Sequence, residues 1–490
     1  MFNAITQNLF HGASYSAVGS FLSVSNGSLG TSPSSSSPQD LRTIFKKFDL
    51  DPKVTRYACC TLPTCSAIYP PTFDALHKTF SYPLRCQQAK FGKVCGSHLV
   101  EKSLVMNGQS IPRPIKQYPY RHFHDHVGSM LSRPGIEQAI QSHVYSTTYI
   151  QEITDIMSSP ALRNLIGVDG RPFLQTHGTD LNLVWSLCVD WYNPRQNKAA
   201  GKSVSTGVIS MICLSLPQHL RTREENIHVS GVIPGPSEPS LDAVNHFLEP
   251  LIDELKESYE DGIYYSRTYD YPSGRSSRSA IVPVICDTMA SKKVTGHCGH
   301  RGKYFCSRCR LPRNQLQENF DANAWPPGLT REDHVALADA WRNMETLSAQ
   351  ISAVKRHGIR WSVLLKLPYW QPSQWTITEG MHVLLLGVIP RHCRDLLGLN
   401  MKELPSRDID EDDEGPHDAS MKRGRKALQT QSFQKLKKLK MRVLKALCLE
   451  MGVVLPAPKG RRTKLEYVNG LLVSQYPCFL LTFLFSSLST

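Results

Sequence analysis

The chain has 490 residues, with 56 Lys and Arg against 42 Asp and Glu and a formal net charge of +14 at pH 7. Hydrophobic residues make up 41% and charged residues 20%, which excludes collagen-like and wholly disordered proteins. No apolar run approaches the roughly 18 residues of a membrane span, and the positive charge favours an anionic partner such as nucleic acid.

Composition and periodicity divide the chain into seven segments. Ser-rich sequence is typical of a disordered tail, clustered cysteines indicate metal, and a dense basic pattern indicates an anion-binding face. We predict a disordered Ser-rich tail over 1–45, a cysteine-rich zinc-binding-like module over 46–110, a helical connector over 111–175, an α/β core over 176–400, a charged linker over 401–431, a basic helical segment over 432–475 and an apolar tail over 476–490.

The core segment alternates strand-like and helix-like patterns. Apolar, β-prone runs predict strands, and helical spacing of apolar residues predicts helices. The strands are expected at 181–189, 208–216, 226–233 and 279–286, and the helices at 241–259 and within 330–357. Strands in series, followed by a helix and a further strand, predict an α/β sheet.

Two acids, Asp190 and Asp287, each follow a strongly apolar predicted strand. Each carboxylate is therefore expected at a sheet edge rather than inside the core. Two or three carboxylates gathered in this way can hold two Mg²⁺ ions about 3.5–4 Å apart, which activate a water or a 3′-hydroxyl for attack on a phosphodiester. The alternative is that either Asp is a turn residue or a helix cap.

A second pattern is Cys306-x-x-Cys309, with further candidate ligands just upstream at His297, Cys298 and His300. A Cys-x-x-Cys turn places two thiolates on one face, and two more nitrogen or sulfur ligands complete a tetrahedral zinc site. The partners are either His300 or the more distant His382 and His392. Unpaired structural cysteines are the alternative.

A third pattern is Cys60-x4-Cys65 followed by Cys86 and Cys95, with Cys59 beside them. Two cysteine pairs about twenty residues apart resemble a ribbon-type zinc module, although neither pair has the tight two-residue spacing. Structural cysteines without a metal are the alternative.

The fourth pattern is a basic stretch after residue 432, in which apolar residues keep helical spacing and basic residues crowd the remaining face and the following loop. The candidate DNA-contacting residues are Lys437, Lys438, Lys440, Lys445, Lys459, Arg461, Arg462 and Lys464. A solvated basic face is the alternative.

Several blocks in order resemble CACTA-type transposases, in particular the fungal group. The matching blocks lie at residues 189–194, 197–203, 231–236, 286–290, 357–362 and 381–387, and the resemblance covers roughly residues 45–400. Residues 432–472 resemble a SAP motif, a short helix–loop–helix that binds DNA with little sequence preference. The resemblance implies a ribonuclease-H-like DDE/D core with a helical insertion, an N-terminal zinc-ribbon-like module and a C-terminal helical SAP-like segment.

The implied activity is water attack at a transposon end, followed by attack of the freed 3′-hydroxyl on target DNA. It would use Asp190, Asp287 and, as third acid, Glu379, which stands where relatives usually have Asp. The implied cofactors are catalytic Mg²⁺ or Mn²⁺ and structural Zn²⁺, the latter on Cys306, Cys309, His300 and His382 and on the N-terminal cysteines.

The implied partners are transposon-end and target DNA in the nucleus and a second copy of the chain, and no membrane is expected. Relatives with a SAP-like segment continue well beyond it, so the resemblance also predicts a protein cut short at Thr490, which would lack part of the catalytic fold. The competing hypotheses are a non-catalytic, zinc-containing DNA- or chromatin-binding protein and a zinc-stabilised protein–protein scaffold.

Overall fold

The structure is a computed structural model and describes residues 53–75, 79–106, 109–146, 153–175, 178–193, 204–399, 418–430, 432–453 and 463–473, together with Thr43 and Lys46. The chain divides into two compact units, Met1–Ile389 and Pro390–Thr490. The predicted tail over 1–45, apart from Thr43, and the predicted tail over 476–490 lie outside the described residues.

The first unit is built on a nine-stranded sheet in the order β13-β14-β10-β11-β12-β9-β1-β2, in which β15 also pairs with β14. Three two-stranded hairpins, β3-β4, β5-β6 and β7-β8, accompany it. The strands are β1 (Val54–Cys59), β2 (Ile68–Tyr69), β3 (Thr72–Asp74), β4 (Thr79–Ser81), β5 (Ala89–Lys90), β6 (Lys93–Val94), β7 (Val100–Met106), β8 (Gln109–Pro114), β9 (Gln117–Arg121), β10 (Leu181–Tyr192), β11 (Thr206–Cys213), β12 (Ile227–Ile233), β13 (Ile263–Tyr265), β14 (Arg275–Cys286) and β15 (Thr376–Thr378).

Helices connect the strands of the first unit, and further helices form the second unit. They are α1 (Phe123–Leu131), α2 (Ile136–Ser146), α3 (Pro160–Arg163), α4 (Gln218–Arg221), α5 (Val244–Glu260), α6 (Thr288–Thr295), α7 (Arg331–Arg342), α8 (Leu347–His357), α9 (Pro372–Trp375), α10 (Ile389–Arg391), α11 (Asp418–Gln429), α12 (Phe433–Lys437), α13 (Met441–Glu450) and α14 (Lys464–Val473). π-Helical segments at Met381–Val388 and His392–Leu396 flank α10. Short 3₁₀ helices lie at Ile156–Ser158, Glu224–Asn226, Arg313–Gln315, Ala322–Ala324 and Val363–Lys366. No helix among the described residues is both long and apolar enough to cross a membrane.

The register of the central strands determines which residues meet at one edge of the sheet. Strands β10, β11 and β12 pair antiparallel, whereas β10 and β14 are parallel, with Leu187 opposite Val284. Strand β15 is parallel to β14, with Cys286 opposite Thr378. The carboxyl ends of β10, β14 and β15 therefore share one edge, and α5 packs its buried apolar face against β14.

The strands and helices predicted between residues 181 and 357 are confirmed, with the predicted 330–357 helix divided into α7 and α8. The region predicted as a helical connector differs, because β9 joins the large sheet at its start. Tyr118 and Tyr120 are buried on β9 while their neighbours are partly exposed. The intervening Pro119, which has no N–H to donate, disguises this alternation in the sequence.

Two adjacent cysteines at the end of β1 belong to different cores. Cys59 lies in the large core under the sheet, whereas Cys60 joins a small separate core with Ala67, Cys86 and Leu99. Strand β1 of the cysteine-rich module predicted over 46–110 thus belongs to the large sheet, since β1 pairs with β9.

The buried polar side chains of the first unit include an ion pair and a pair of imidazoles. Arg275 Nη1 donates to Glu137 Oε1 at 3.0 Å, with both side chains 0% exposed. The imidazoles of His126 and His228 lie with ring centroids 4.8 Å apart, and both are buried.

The second unit has its own apolar core, contributed by α11 to α14. Its buried residues are Met421, Ala427, Leu428, Leu436, Val443, Leu444, Leu447, Cys448, Val468 and Leu471. Helix α11 falls within the segment predicted as a solvated linker over 401–431. The basic residues between Met421 and Ala427 hide its apolar face in the sequence, whereas the fold buries that face.

Candidate active site and metal centres

Three carboxylates converge at the carboxyl ends of β10, β14 and β15. Asp190 and Asp287 stand three residues after the paired positions Leu187 and Val284, and Glu379 follows β15 directly, with its N–H donating to the carbonyl of Cys286 at 2.8 Å. Asp190 is exposed and the other two are partly buried. Since ligands of open α/β sheets bind outside the carboxyl ends of the strands, this edge is the candidate active site.

Local hydrogen bonds orient the two aspartates. Asp190 Oδ1 accepts from the N–H of Trp191 at 2.9 Å. Asp287 caps α6, with Oδ1 accepting from the N–H of Ala290 at 2.7 Å. Asp287 is therefore a helix cap, as the alternative interpretation of this residue predicted. Its second carboxylate oxygen can bind a further partner.

Glu379 is held differently, because both of its oxygens have partners. Oε1 accepts from the N–H of Met381 at 2.8 Å, and Oε2 pairs with His382 Nδ1. This hydrogen bond raises the pKa of His382, and the negative charges of Asp287 and Asp190 act in the same direction. The same bond lowers the pKa of Glu379. The edge thus holds three carboxylates and one imidazole whose protonated form these carboxylates stabilise.

The carboxylates are not packed around one point. Among the described residues, only the group Cys60, Cys65, Cys86 and Cys95 places three or more His, Cys, Asp or Glu ligand atoms all within 4.8 Å of one another. Among the described residues, the three acids therefore do not form a closed ligand group of this kind.

A cavity of about 400 Å³ adjoins the acid edge. It includes Thr288, next to Asp287, and Thr378, next to Glu379. Its remaining lining is Lys292, Phe305, Cys306, Ser307, Arg308, Thr376 and Ile377. Two cationic side chains and an aromatic ring beside the acids are a combination suited to an anionic ligand with flat rings. The sequence reasoning missed Lys292, Phe305 and Arg308, whose only signal was their nearness to Asp287 and the Cys-x-x-Cys motif.

The four N-terminal cysteines form a compact cluster. The sulfurs of Cys60 and Cys95 lie 3.6 Å apart, and those of Cys65 and Cys86 also lie 3.6 Å apart. Tetrahedral zinc with Zn–S bonds of about 2.3 Å requires sulfur–sulfur separations of roughly 3.8 Å. The cluster could therefore hold a metal such as zinc, as the sequence predicted for these four residues.

Backbone hydrogen bonds preform this cluster. The N–H of Cys60 donates to Ala67 and the N–H of Cys95 to Gln88, each at 2.8 Å. The hydroxyl of Tyr69 lies 3.3 Å from Cys86 Sγ. Burial raises the pKa of Cys60 to about 11, whereas burial is outweighed at Cys95, where hydrogen bonds from Ser97 lower the pKa to about 7. A bound cation would have to displace the protons that the thiols retain.

The second predicted ligand set, Cys306, Cys309, His300 and His382, is not brought together. His300 is an exposed residue whose Nδ1 contacts the sulfur of Met289 at 3.3 Å, and His382 pairs with Glu379 at the acid edge. Strand β15 carries His382 to the carboxylates, and the assignment of these four residues to one zinc ion stays a prediction. The other distant candidate, His392, belongs to the second unit.

The basic residues of the C-terminal segment are presented to solvent where they are described. Lys437, Lys438, Lys440 and Lys445 are exposed and Lys464 is partly buried. The remaining predicted contacts, Lys459, Arg461 and Arg462, lie outside the described residues.

A known family model matches the part of the chain that contains Asp190 and Asp287. Residues 175–322 match the model of the transposase family tnp2. This transposase-family region includes β10 to β14, Asp190, Asp287 and the Cys-x-x-Cys motif, and it supports a transposase-derived protein. No curated protein matches the chain.

Proposed function

We propose that this chain is a transposase-derived protein that binds DNA and cleaves and joins its strands with divalent metal ions at the acid edge. Asp190, Asp287 and Glu379 are the proposed catalytic acids. The observation that carries the proposal is their convergence at the ends of three adjacent parallel strands inside or beside the transposase-family region.

The strand order supports a ribonuclease-H-like core of the DDE/D kind. From β12 through β11, β10 and β14 to β15, the sheet follows the order third, second, first, fourth, fifth in the sequence of these strands. In this row β10, β11 and β12 pair antiparallel with one another, whereas β14 pairs parallel with both β10 and β15. The helical segment with α7 and α8 between β14 and β15 corresponds to the proposed insertion.

The donor set fits Mg²⁺ or Mn²⁺, since carboxylate oxygens are the ligands that these ions prefer. When bound, such ions activate the attacking water or hydroxyl and stabilise the leaving oxygen of a phosphodiester. Asp190 and Asp287 hold their carboxylates at fixed positions through the backbone bonds to Trp191 and Ala290. Glu379 would supply a third carboxylate, which keeps lone pairs for an ion beside its bonds to Met381 and His382.

His382 then has a function of its own at the edge. Its imidazolium, favoured by the surrounding carboxylates, offsets part of their mutual repulsion before substrate arrives. A protonated His382 would be able to donate a hydrogen bond to a phosphate oxygen of DNA bound at this edge.

The test incubates the purified full chain with supercoiled plasmid and with a labelled duplex carrying the inverted repeats that flank its own gene. Nicking and end joining are measured with Mg²⁺, with Mn²⁺ and with EDTA. Asp190→Asn and Asp287→Asn should each lower nicking by at least about 100-fold, the size seen when a main transition-state stabilising group is removed.

Asn keeps the size and hydrogen-bonding oxygen of Asp, so the cap on α6 survives in Asp287→Asn. Asp253→Asn, in an exposed ion pair on α5, is the matched control and should leave nicking unchanged. Equal nicking by wild type and by the Asp190→Asn, Asp287→Asn double variant would reject the catalytic proposal and favour the non-catalytic DNA-binding alternative.

The exposed lysines of the second unit support DNA binding in either case. Lys437, Lys438, Lys440 and Lys445 lie on and between α12 and α13, which have the helical character of the proposed SAP-like segment. Substituting all four by Gln should weaken binding of the full chain to any duplex and flatten its salt dependence by up to about four units of slope. Unchanged affinity at low salt would reject this role and leave the protein–protein scaffold hypothesis.

A further inference from the structure

The cavity beside the acid edge has room for one nucleotide. Its volume of about 400 Å³ lies within the range of small-molecule sites, roughly 300–1,000 Å³. One side is formed by α6 and β15, the elements next to Asp287 and Glu379, and the other side by residues 305–308. A base pair with its two backbones is larger than this space, whereas one base with its sugar and phosphate fits.

The side chain of Lys292 is the strongest indication that the ligand is an anion. Lys292 is 7% exposed and lines the cavity. Among the described residues its ammonium group has neither a carboxylate nor a hydrogen-bond partner, and the groups that act on its charge are Cys298, Cys306 and Cys309. Sulfur is a weak hydrogen-bond acceptor. Because a buried ammonium group that has lost its hydration needs an anionic partner, Lys292 is available to an anion in the cavity.

Arg308 adds a second positive charge on the opposite side. Its Nη1 donates to the carbonyl of Gln374 at 2.6 Å, which fixes the guanidinium group beside the cavity. A guanidinium group has five N–H donors in one plane, so further donors remain for a phosphate oxygen. None of the described residues that line the cavity is acidic. The cavity is therefore cationic, in contrast to the acid edge beside it.

Phe305 supplies an aromatic ring to the same lining. Bases of nucleic acids stack on aromatic side chains with little regard to sequence, because every base has a flat π face. The hydroxyls of Thr288 and Thr378 line the cavity as well and can donate to or accept from a base edge or a sugar. Two cations, a ring and small polar groups are together the contacts that a nucleotide requires.

The position of Lys292 relates the cavity to the acid edge. Thr288 and Lys292 lie one turn apart on the same face of α6, and Asp287 caps the start of this helix. The five residues from Asp287 to Lys292 span roughly 7.5 Å along the helix axis. This length is comparable with the separation of neighbouring phosphates on one DNA strand, so a phosphate on Lys292 lies next to a phosphate at the acid edge.

We propose that this cavity holds one unpaired nucleotide of the DNA strand that lies at the acid edge, an inference that rests on the proposed function. Lys292 and Arg308 bind its phosphate, and its base packs against Phe305. The duplex has to open at this nucleotide, which costs least where the bases are already unpaired or mismatched. The protein should therefore prefer DNA that is unpaired beside the point of cleavage.

The test measures binding of the full chain to two fluorescently labelled duplexes without added Mg²⁺ or Mn²⁺. One duplex is fully paired, and the other has a short unpaired stretch at its centre. Wild type should bind the unpaired duplex more tightly. Phe305→Ala should weaken binding to the unpaired duplex by about 5-fold to 100-fold, the effect of losing one stacked base, and should leave the paired duplex unaffected. Phe320→Ala, at an 84% exposed ring outside the cavity lining, is the matched control and should change neither affinity.

A second pair of variants tests the phosphate contact. Lys292→Met keeps the length of the side chain without its charge, and it should weaken binding to the unpaired duplex and lower the salt slope by about one unit. Lys292→Arg should restore both. Lys355→Met, at an exposed lysine on α8, is the matched control and should preserve the preference. Circular dichroism shows whether each variant is folded.

Equal binding of the two duplexes by wild type would overturn the proposal. The same conclusion would follow if folded Phe305→Ala and Lys292→Met proteins lost affinity equally for both duplexes. If a free deoxynucleoside monophosphate bound wild type as tightly as the unpaired duplex, the ligand would be a free nucleotide rather than a DNA strand. The Asp190→Asn, Asp287→Asn double variant should keep the preference, so this result stands apart from the nicking assay.

Discussion

The N-terminal cysteine cluster and the acid edge both gather potential metal ligands, but by opposite means. The cysteines come from one stretch of chain, are fixed by local backbone bonds and lie in a small core of their own. The acids come from strands far apart in sequence and face solvent at the end of a sheet. A buried ligand group contributes to stability, whereas an open one keeps its binding capacity for a substrate. Polar groups inside the fold should therefore control stability, and those at the edge should control reactivity.

The largest effect should follow from breaking the cysteine cluster. Cys86→Ser removes a buried ligand, and we expect loss of one zinc ion together with local unfolding of residues 60–99. Since structural zinc binds with roughly 10–16 kcal/mol, the loss of stability should exceed that of any single substitution at the acid edge. Zinc analysis and hydrogen exchange measure both effects, with Cys393→Ser as control. If hydrogen exchange in residues 60–99 were as slow in Cys86→Ser as in wild type, the cysteine cluster would not be the group that stabilises this region.

A smaller but still large effect should follow from the buried ion pair. Glu137→Ala leaves the guanidinium of Arg275 without its carboxylate at 0% exposure, which costs about 3–5 kcal/mol. The exposed pair Lys256–Glu260 is the control, and Lys256→Ala should cost about 0–1 kcal/mol. Urea unfolding of both variants gives the difference. Similar losses in the two variants would mean that burial does not decide stability here.

Acid should weaken the same interior through His126 and His228. Burial lowers the pKa of His126 to about 3 and lowers that of His228 well below its ordinary value. Both are neutral when folded, whereas in the unfolded chain they bind protons below about pH 6.5. The stabilisation from the two neutral histidines is therefore fully present above about pH 6.5. The free energy of unfolding falls as the pH drops from about 6.5 towards about 3, by about 1.4 kcal/mol per pH unit for each histidine.

Urea unfolding at pH 7 and pH 5 tests this slope. His228→Leu removes one titrating group and should reduce the slope by about 1.4 kcal/mol per pH unit. A slope equal to that of wild type would show that His228 does not contribute to the pH dependence of unfolding.

The smallest stability effect should be found at the edge itself. Asp287→Ala removes the cap on α6 and should cost about 1 kcal/mol, whereas Asp287→Asn keeps a capping oxygen and should cost only a few tenths. Both variants should lose nicking activity. Thermal unfolding measures the stability of both variants. If Asp287→Asn lost as much stability as Glu137→Ala, buried polar groups would not contribute more to stability than those at the acid edge.

The apolar runs of β10 and β14 were predictable because both strands are buried along most of their length, and strands buried on both faces are continuous in hydrophobicity. β11 and β12 were predictable as β-prone runs, and their burial alternates more between buried and partly exposed residues. The ends of β10 and β14 placed Asp190 and Asp287 at a common edge, and the spacing of the four N-terminal cysteines indicated their association. The three-residue β15, which positions Glu379, is too short to give a period, and only the family resemblance indicated that residue.

The remaining features depend on tertiary packing that no local pattern contains. His334 lies on a solvent-facing helix by sequence, yet the fold buries it against His297, which follows the end of α6. The sheet position of β9 depends on Tyr118 and Tyr120 finding the core, and α11 depends on a core shared with α13. In each case the partner is distant in sequence, so composition alone could not identify it.

The junction between β9 and β12 has a consequence for biosynthesis. β9 meets β12 at Gly231, opposite Tyr120, where a Cβ atom would lie 2.3 Å from the hydroxyl of Tyr118. β1, which emerges from the ribosome early, is joined to the rest of the sheet only through β9 and this glycine. During translation β9 can therefore pair with β1 before β12 has been made, and the other edge of β9 stays unpaired until residue 231 is synthesised. Because such long-range pairing forms late, this strand edge is exposed to other chains during synthesis.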